Sequence, residues 1–390
     1  MVLIIFALVL VLGIAFYQAV QGAFSAMIMA LLTIACALLA INYYEPLAEW
    51  LLYSGQPEFA DASTLIALFA VPLLILRIFV DRLIPGNMLL GQWPDRIAGG
   101  CLGLVTGLVC TGILMLALQM LPWNDSVMGY RPFDDTLHRQ QSLAPLYPDE
   151  FTLGMANTFS TGSMAADPEN PWKKQHDDLL LDLHCSRNTG KDSTGAEMNL
   201  RGEVMTNSLE VVGVYEPPQT NLWEGEAPPY PLATDADKRS GDKTLVVRCS
   251  VAENAKEKKR GMFYLAATQF RLVTKSGRSF YPVGYLTYLP AGSTAYKPRG
   301  DKSEWILYPA PVDNNGKAQL GQVVVARSGE SGKPLIVDWV FRLPAKDALG
   351  NDDPLAYMAF RRIARDGLDA HFKVIPSMPP TKDALDRKGD

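Results

Sequence analysis

The stretch Gly91–Trp123, GQWPDRIAGGCLGLVTGLVCTGILMLALQMLPW, constrains this chain more than any other. No charged residue occurs between Ile97 and Leu121. A helix needs about 20 apolar residues to cross the hydrocarbon core of a bilayer, so this run is long enough to span one. Trp93 and Trp123 stand at its two ends, and indole rings favour the level of the lipid headgroups. At about 1.5 Å per residue they lie about 45 Å apart, the thickness of a bilayer with its interfaces. Gly99, Gly103 and Gly107 recur every four residues. That spacing sets them on one face, where the backbone of another helix can approach closely.

The chain before this stretch is also apolar. No Asp, Glu, Lys or Arg occurs from Met1 to Tyr44. A straight helix of that length would measure about 66 Å, about twice the hydrocarbon core, so the run must fold back. Its polar break is Tyr17-Gln18-Ala19-Val20-Gln21-Gly22, which places one span over residues 2–18 and a second over 23–42. A signal peptide is the rival reading of the first span. It is disfavoured because a basic n-region and a small-residue cleavage site are lacking and more membrane follows. Tyr43, Tyr44, Trp50 and Tyr53 read as an interfacial aromatic cluster. A third span covers residues 63–79 and contains Pro72, which removes one helix hydrogen bond and predicts a kink. The fourth is 97–121. Residues 1–122 therefore read as a four-helix transmembrane region.

Loop charge sets the expected topology. The loop between spans two and three carries Glu45, Glu49, Glu58 and Asp61 without a Lys or Arg. Arg77, Arg82 and Arg96 lie between spans three and four. Positive loops stay in the cytoplasm, which places both termini, and everything after Trp123, outside it. Asp95 and Arg96, like Asp81 and Arg82, read as topology anchors and local ion pairs at helix ends. Span two has its own row of small residues, Gly22, Ala26 and Ala30, then Thr33 and Ala37. Spans two and four are expected to pack through these rows, and the same rows can form a homo-oligomer interface. Nothing ionisable lies at mid-depth, which argues against a transporter with its own binding site.

Asp95-Arg96-x-x-Gly99-Gly100-x-x-Gly103-Leu104-x-x-Gly107 resembles the last-helix signature of the colicin V production (CvpA) family. The resemblance covers residues 1–122. It implies four closely spaced helices in the bacterial inner membrane and a link to colicin V secretion and envelope maintenance, without a settled biochemical activity. Two positions depart from the family pattern. Gln21 stands where a basic residue often precedes the glycine opening span two, and Thr106 where one often precedes the glycine inside span four. Some relatives append a periplasmic serine-protease domain after the fourth helix, which suits an external C-terminal part.

Residues 123–180 read as a linker. Within it Pro148-Asp149-Glu150 looks like a helix start, with proline and acids in the first turn. Phe151, Met155 and Phe159 recur every four residues, so a short amphipathic helix is expected near 148–160. It would pack on the domain that follows, or lie on the membrane face. From residue 181 to 376 the pattern is that of strands. LEVVGVYE, TLVVRCSV, YLAATQFRLVT, RSFYPVGYLTYL, GQVVVAR and LIVDWVFRLP are β-branched and aromatic runs. Ser276-Gly277 between two of them is a hairpin signal. Such runs point to an antiparallel sandwich, and their order resembles immunoglobulin-like domains of bacterial envelope proteins. Pro354–Asp369 reads as a helix, and 377–390 as a disordered tail. The fold class is thus a membrane all-α region followed by a mostly-β soluble domain, an immunoglobulin-like sandwich.

Chemistry is sparse. Cys185 and Cys249 lie in the soluble part. They would form a disulfide if that part is outside the cytoplasm, or remain buried thiols. Leu183-His184-Cys185 followed by Gly329-Glu330-Ser331-Gly332-Lys333-Pro334 is similar to the base and nucleophile segments of chymotrypsin-like proteases. Here Glu330 replaces the usual Asp and Lys333 the usual Gly, and Asp235 and Asp237 sit in a loose polar stretch. The reading adopted is a hairpin turn, with catalysis by His184 and Ser331 the alternative. His138, His176, His184 and His371 are scattered, and no zinc spacing or phosphate-binding glycine loop occurs, so no cofactor is expected. A formal net charge of -5 gives no case for nucleic acid. The expected function is a non-enzymatic membrane anchor presenting a β-sandwich to an unknown envelope partner. The alternatives are the protease and a transport accessory subunit.

Overall fold

The computed structural model of the chain describes residues 2–51, 57–84, 91–123, 126–133, 139, 147–159, 172, 176, 178–187, 189–191, 197–199, 204–218, 243–257, 261–289, 304–309, 323–326, 333–343, 353–368, 374–380 and 385–386. They fall into two compact units, residues 1–132 with 139–175, and 133–138 with 176–390.

The first unit is helical: α1 Val2–Gln21, α2 Ala23–Leu51, α3 Pro57–Leu83, α4 Gln92–Met120 and α5 Pro148–Phe159. The first four are long and apolar enough to cross a membrane. A helix meets all its internal backbone hydrogen bonds by itself, which is what lipid demands. The outward faces of α1 and α3 are apolar and uncovered, including Ile5, Phe6, Val9, Leu12 and Phe16 on one and Val71, Leu74, Ile75, Ile78 and Phe79 on the other. In water such a surface would be a liability; in hydrocarbon it costs nothing. Trp93, Trp123, Trp50 and Tyr43 are exposed, as interfacial aromatics are. Tyr44 is not. It is buried and donates to Glu45 Oε1 at 3.2 Å. Tyr53 lies outside the described residues.

The helices overrun the expected spans. α2 continues to Leu51 through Pro46, and Ala48 packs on Ala60 of α3. Tertiary packing there extends the helix beyond the hydrophobic stretch. α3 likewise runs through Pro72 without a break.

α5 corrects its expectation. The stripe Phe151, Met155, Phe159 is not its packing face: Phe151 and Phe159 are exposed. The buried face is Pro148, Asp149, Thr152, Leu153 and Ala156, set against α4 and α2. The small and polar residues pack because their partner surface on α4 is itself a glycine, Gly112.

The second unit holds α6, Leu179–Cys185, and the strands. One antiparallel sheet has the order β3-β4-β11-β8-β9, with β3 Leu209–Tyr215, β4 Lys243–Val251, β8 Gly284–Leu289, β9 Glu304–Pro309 and β11 Leu335–Leu343. A second is β13-β12-β6-β7, with β6 Phe270–Thr274, β7 Ser279–Phe280, β12 Leu355–Phe360 and β13 Ala364–Gly367. A smaller sheet pairs β14 Leu385–Asp386, β10 Val323–Ala326 and β5 Phe263–Ala266, and β1 Thr189–Lys191 pairs with β2 Glu197–Asn199. Val247, Cys249, Val337, Trp339 and Phe341 of the first large sheet share one core with Phe270, Leu272, Met358 and Phe360 of the second. Phe270 stacks on Phe360 and tilts against Trp339, with centroids 4.5 and 4.7 Å away. Among the described residues no sheet closes into a barrel. The antiparallel layers match expectation; the strand order does not establish the immunoglobulin topology.

The expected helix over Pro354–Asp369 is instead the β12–β13 hairpin. Leu355–Phe360 puts Met358 and Phe360 in the core, and pairing with β6 overrides the helix-forming residues. Arg361 and Arg362 turn it with φ of 49° and 62°, the left-handed pair that matches strand twist. Gly277, at φ 85°, makes the expected β6–β7 turn. Ile375 bonds Val214 and Glu216 beside β3, and part of the expected disordered tail, 377–390, is held in place after it: Pro379 O accepts from Arg248, and β14 pairs with β10.

The β6–β7 turn is fastened by Asp353, which accepts from Ser276 N at 3.0 Å, Ser276 Oγ at 2.6 Å and Arg278 Nη2 at 2.7 Å. Burial alone would raise this carboxyl; the bonds from Ser276 and then Arg278 outweigh it and hold it below the usual carboxylate range. A lowered carboxyl stabilises the fold above its unfolded pKa and loses that contribution as pH falls through the folded value. Asp353→Asn should therefore lower the melting temperature of the purified protein at pH 7, and the gap from the parent should shrink below about pH 4. A gap that does not depend on pH would contradict this account.

Candidate functional site

Gly22, Asp95 and the glycine row of α4, all singled out in the sequence, lie where α1, α2 and α4 meet. Gly22 stands alone between α1 and α2 with φ 96°, a conformation glycine adopts without strain. α1 runs antiparallel to α4, with Val11 against Gly107 and Gln18 against Gly99. α2 runs parallel to it, with Ala23 at Asp95 and Thr33 at Cys110. The chain thus reverses at Gly22 with α4 wedged between the two arms.

Asp95 closes that apex. Its carboxylate is buried and accepts from Ala23 N at 2.9 Å, so a residue of α4 caps the first turn of α2. The positive end of a helix and its unpaired N–H groups favour such a carboxylate. Gly22 makes room for it: a Cβ there would come within 2.5 Å of Asp95 Oδ2. Asp95 is therefore a buried cap, not the surface anchor expected. Arg96 and Arg82 are exposed. Arg77 pairs with Asp81 at 3.1 Å and donates to Ser25 Oγ at 3.0 Å, and Ser25 bonds Gln21 at 3.2 Å. This end of the bundle gathers Arg77, Arg82 and Arg96, whereas Glu45, Glu49, Glu58 and Asp61 lie at the other.

The glycine row has a different partner from the one expected. A Cβ at Gly99 would approach Gln18 O to 2.8 Å, one at Gly103 would reach Ala15 Cα at 2.8 Å, and one at Gly107 would reach Val11 O at 2.9 Å. These are backbone contacts with α1, not α2. Ala26, Ala30, Thr33 and Ala37 are buried on α2, which also packs against α4, as expected of these two spans. The α1 face is Leu3, Ala7, Val11, Ala15 and Gln18, a spacing of four and then three residues that sequence reading missed because Leu3 and Val11 look like ordinary span residues.

In the second unit Cys185 on α6 and Cys249 on β4 are buried free thiols. Burial, with Asp182 beside one and Asp338 beside the other, pushes both thiols up, which disfavours the reactive thiolate. His184 tilts against Phe133 with centroids 5.6 Å apart. Glu330 and Ser331 lie outside the described residues, as do Asp235, Asp237, His138 and His371. Gly329–Gly332, expected as a hairpin turn, also lie outside the described residues; β10 before them and β11 after them belong to different sheets. Asp182 was not singled out in the sequence. It pairs with Arg271 and accepts from Tyr281 at 2.7 Å, all deep in the unit. Burial and Asp182 push Tyr281 up, so it stays a hydroxyl donor. Burial alone would lower Arg271, but Asp182 outweighs it and keeps it charged. These bonds fix α6 against β6. Among the described residues, no group of His, Cys, Asp and Glu could hold a metal ion.

Asp95→Leu should destabilise the detergent-solubilised helical unit by about 1–2 kcal/mol, the range for a lost N-cap. Asp95→Asn, which keeps an acceptor oxygen, should lose less. Gly22→Ala should cost more than Ala19→Gly, read as the temperature at which the protein leaves solution. Equal losses for Asp95→Leu and Asp95→Asn would remove the capping role.

Residues 2–136 match the family model described as colicin V production protein. No curated protein and no solved structure matches the chain. The match takes in α1 to α4, the Asp95 cap and the glycine row, and ends before α5 and the strands. The N-terminal membrane region of this chain, with its four apolar helices, therefore belongs to the colicin V production family.

Proposed function

We propose that this multi-pass protein sits in the bacterial inner membrane and holds its second unit outside the cytoplasm, where the β-sandwich binds a protein partner in envelope maintenance or secretion. The observation that carries the topology is the separation of charge along the helices. Arg77, Arg82 and Arg96 gather at the end where Asp95 caps α2. The acids Glu45, Glu49, Glu58 and Asp61 gather at the other, where α4 ends. Positive ends are retained in the cytoplasm, so that end is on the far side.

A binding role is favoured over a chemical one by the state of the ionisable groups in the sandwich. Arg248 and Asp338, and Arg271 and Asp182, are buried and spent on each other. The buried thiols are held protonated. What such a unit offers a partner is surface shape and strand edges.

Fusion of alkaline phosphatase, active only after export, to the C-terminus should give enzyme activity in intact cells, and a fluorescent protein in the same place should stay dark. The reverse pattern would overturn the placement. Affinity purification from crosslinked membranes through a C-terminal tag should recover a discrete envelope protein that is lost when 176–390 is removed. Labelling by a fluorophosphonate probe, abolished in Ser331→Ala, would instead establish the protease reading.

A further inference from the structure

We propose that α5 is a fifth membrane-embedded element, a re-entrant half-helix that enters the bundle beside the end of α4 and turns its Phe151, Met155 and Phe159 side to lipid acyl chains. Its depth follows from what it touches. Asp149, at its start, accepts from Gln119 Nε2 at 3.1 Å. Thr152, one turn on, lies against Gly112 and directs its hydroxyl toward Leu108 O at 3.4 Å. Gly112 is 11 residues before Trp123 and Leu108 is 15 before it. At about 1.5 Å per residue those are depths of about 16 and 22 Å below the aromatic level, inside the hydrocarbon core and near its middle.

A second helix gives the same level. With Val11 against Gly107 and the two helices antiparallel, Gly112 is level with the first turns of α1. There Met115 packs on Leu3 and Ala7, while Ile5, Phe6 and Val9 are exposed. These large apolar side chains belong in lipid, so the α5 seat lies at lipid depth too.

The chemistry of α5 suits that place. Its charged groups are confined to the entrance. Asp149 is fully buried and accepts from Gln119, from Tyr130 Oη at 2.9 Å and from Glu150 N at 3.0 Å. Glu150 pairs with Arg139 at 2.5 Å. Burial and the Asp149 charge push Tyr130 up, so it remains a donor. From Phe151 to Phe159 no residue is charged. Thr152 and Thr158 donate back to the carbonyls of Pro148 and Gly154, both at 2.8 Å, which leaves no hydroxyl in need of water. The outward face is Phe151, Gly154, Thr158 and Phe159, with Met155 half-buried. Gly112 is what admits the helix: a Cβ there would collide with Thr152 Oγ1 and Pro148 O.

The test uses the full chain in vesicles of phosphatidylcholine that carry a photoactivatable diazirine either at mid-acyl chain or at the headgroup, with adducts mapped by mass spectrometry. The mid-chain probe is expected to label 151–159, as it labels the outer faces of α1 and α3 in the same sample. Labelling of α5 by the headgroup probe alone, or none while α1 and α3 are labelled, overturns the proposal. Gly112→Leu should unseat the helix and reduce its mid-chain labelling several-fold with α1 and α3 unchanged; undiminished labelling would show that Gly112 is not the seat. If Gly112→Leu does not accumulate, Gly112→Ala is read the same way.

Discussion

Helices gain nothing from hiding apolar side chains from lipid, so what holds this bundle together is how closely backbones can approach. α4 supplies that approach on two sides. Gly99, Gly103 and Gly107 bring it against the backbone of α1, and Gly112 brings it against Thr152 and Pro148 of α5. At about 100° per residue, Gly112 points about 140° away from Gly107, so the two contacts do not compete. α4 becomes the most enclosed of the spans, while α1 and α3 keep wide lipid-facing surfaces. The charge-free run between Ile97 and Leu121 is thus less a lipid-facing surface than an axle around which the other helices are set.

Close packing leaves little space for water, so the polar groups at the two ends of α4 must be satisfied by protein. Both ends use the same device. At one, Asp95 accepts the N–H of Ala23. At the other, Asp149 accepts from Gln119 and Tyr130. A buried carboxylate left without donors would cost several kcal/mol, so each is tied to specific partners and each fixes one neighbour against α4. Asp95 sets where α2 begins. Asp149 sets where α5 enters.

Much of this was readable beforehand. Hydrophobic length located four spans, and β-branched runs located β3, β4, β6, β8, β10 and β11, because both signals are local. The partner of the glycine row was not readable, since a row of small residues says that something comes close without saying what. Leu355–Phe360 was read as helix because its residues suit one, and only the neighbouring β6 decides otherwise. α5 was read by its largest side chains, which is the right rule in water. Against a tightly packed membrane helix the small residues go in and the phenylalanines go out. The sheet charges did leave a trace: Arg248 in VVRCS and Asp338 in IVDWV interrupt apolar strands, which is how a buried pair looks in sequence.

That pair explains more than its own energy. A buried ion pair is often no more stabilising than apolar residues of the same volume, so its value lies in what it specifies. Arg248 and Asp338 stand directly opposite each other on β4 and β11 and bond in fork geometry at 2.7 and 2.9 Å. They face away from the shared core, and Arg248 also donates to Pro379 O, which fastens residues 374–380 over that side of the sheet. On the other large sheet Arg271 faces outward in the same way and holds α6 through Asp182. Each outer face therefore carries an arginine that fixes its cover. Side chains alternate along a strand, so a slip of one residue would turn Asp338 into the core and leave Arg248 opposite Val337 or Trp339. The charges thus penalise every wrong register, a constraint that Val, Phe and Trp alone would not impose.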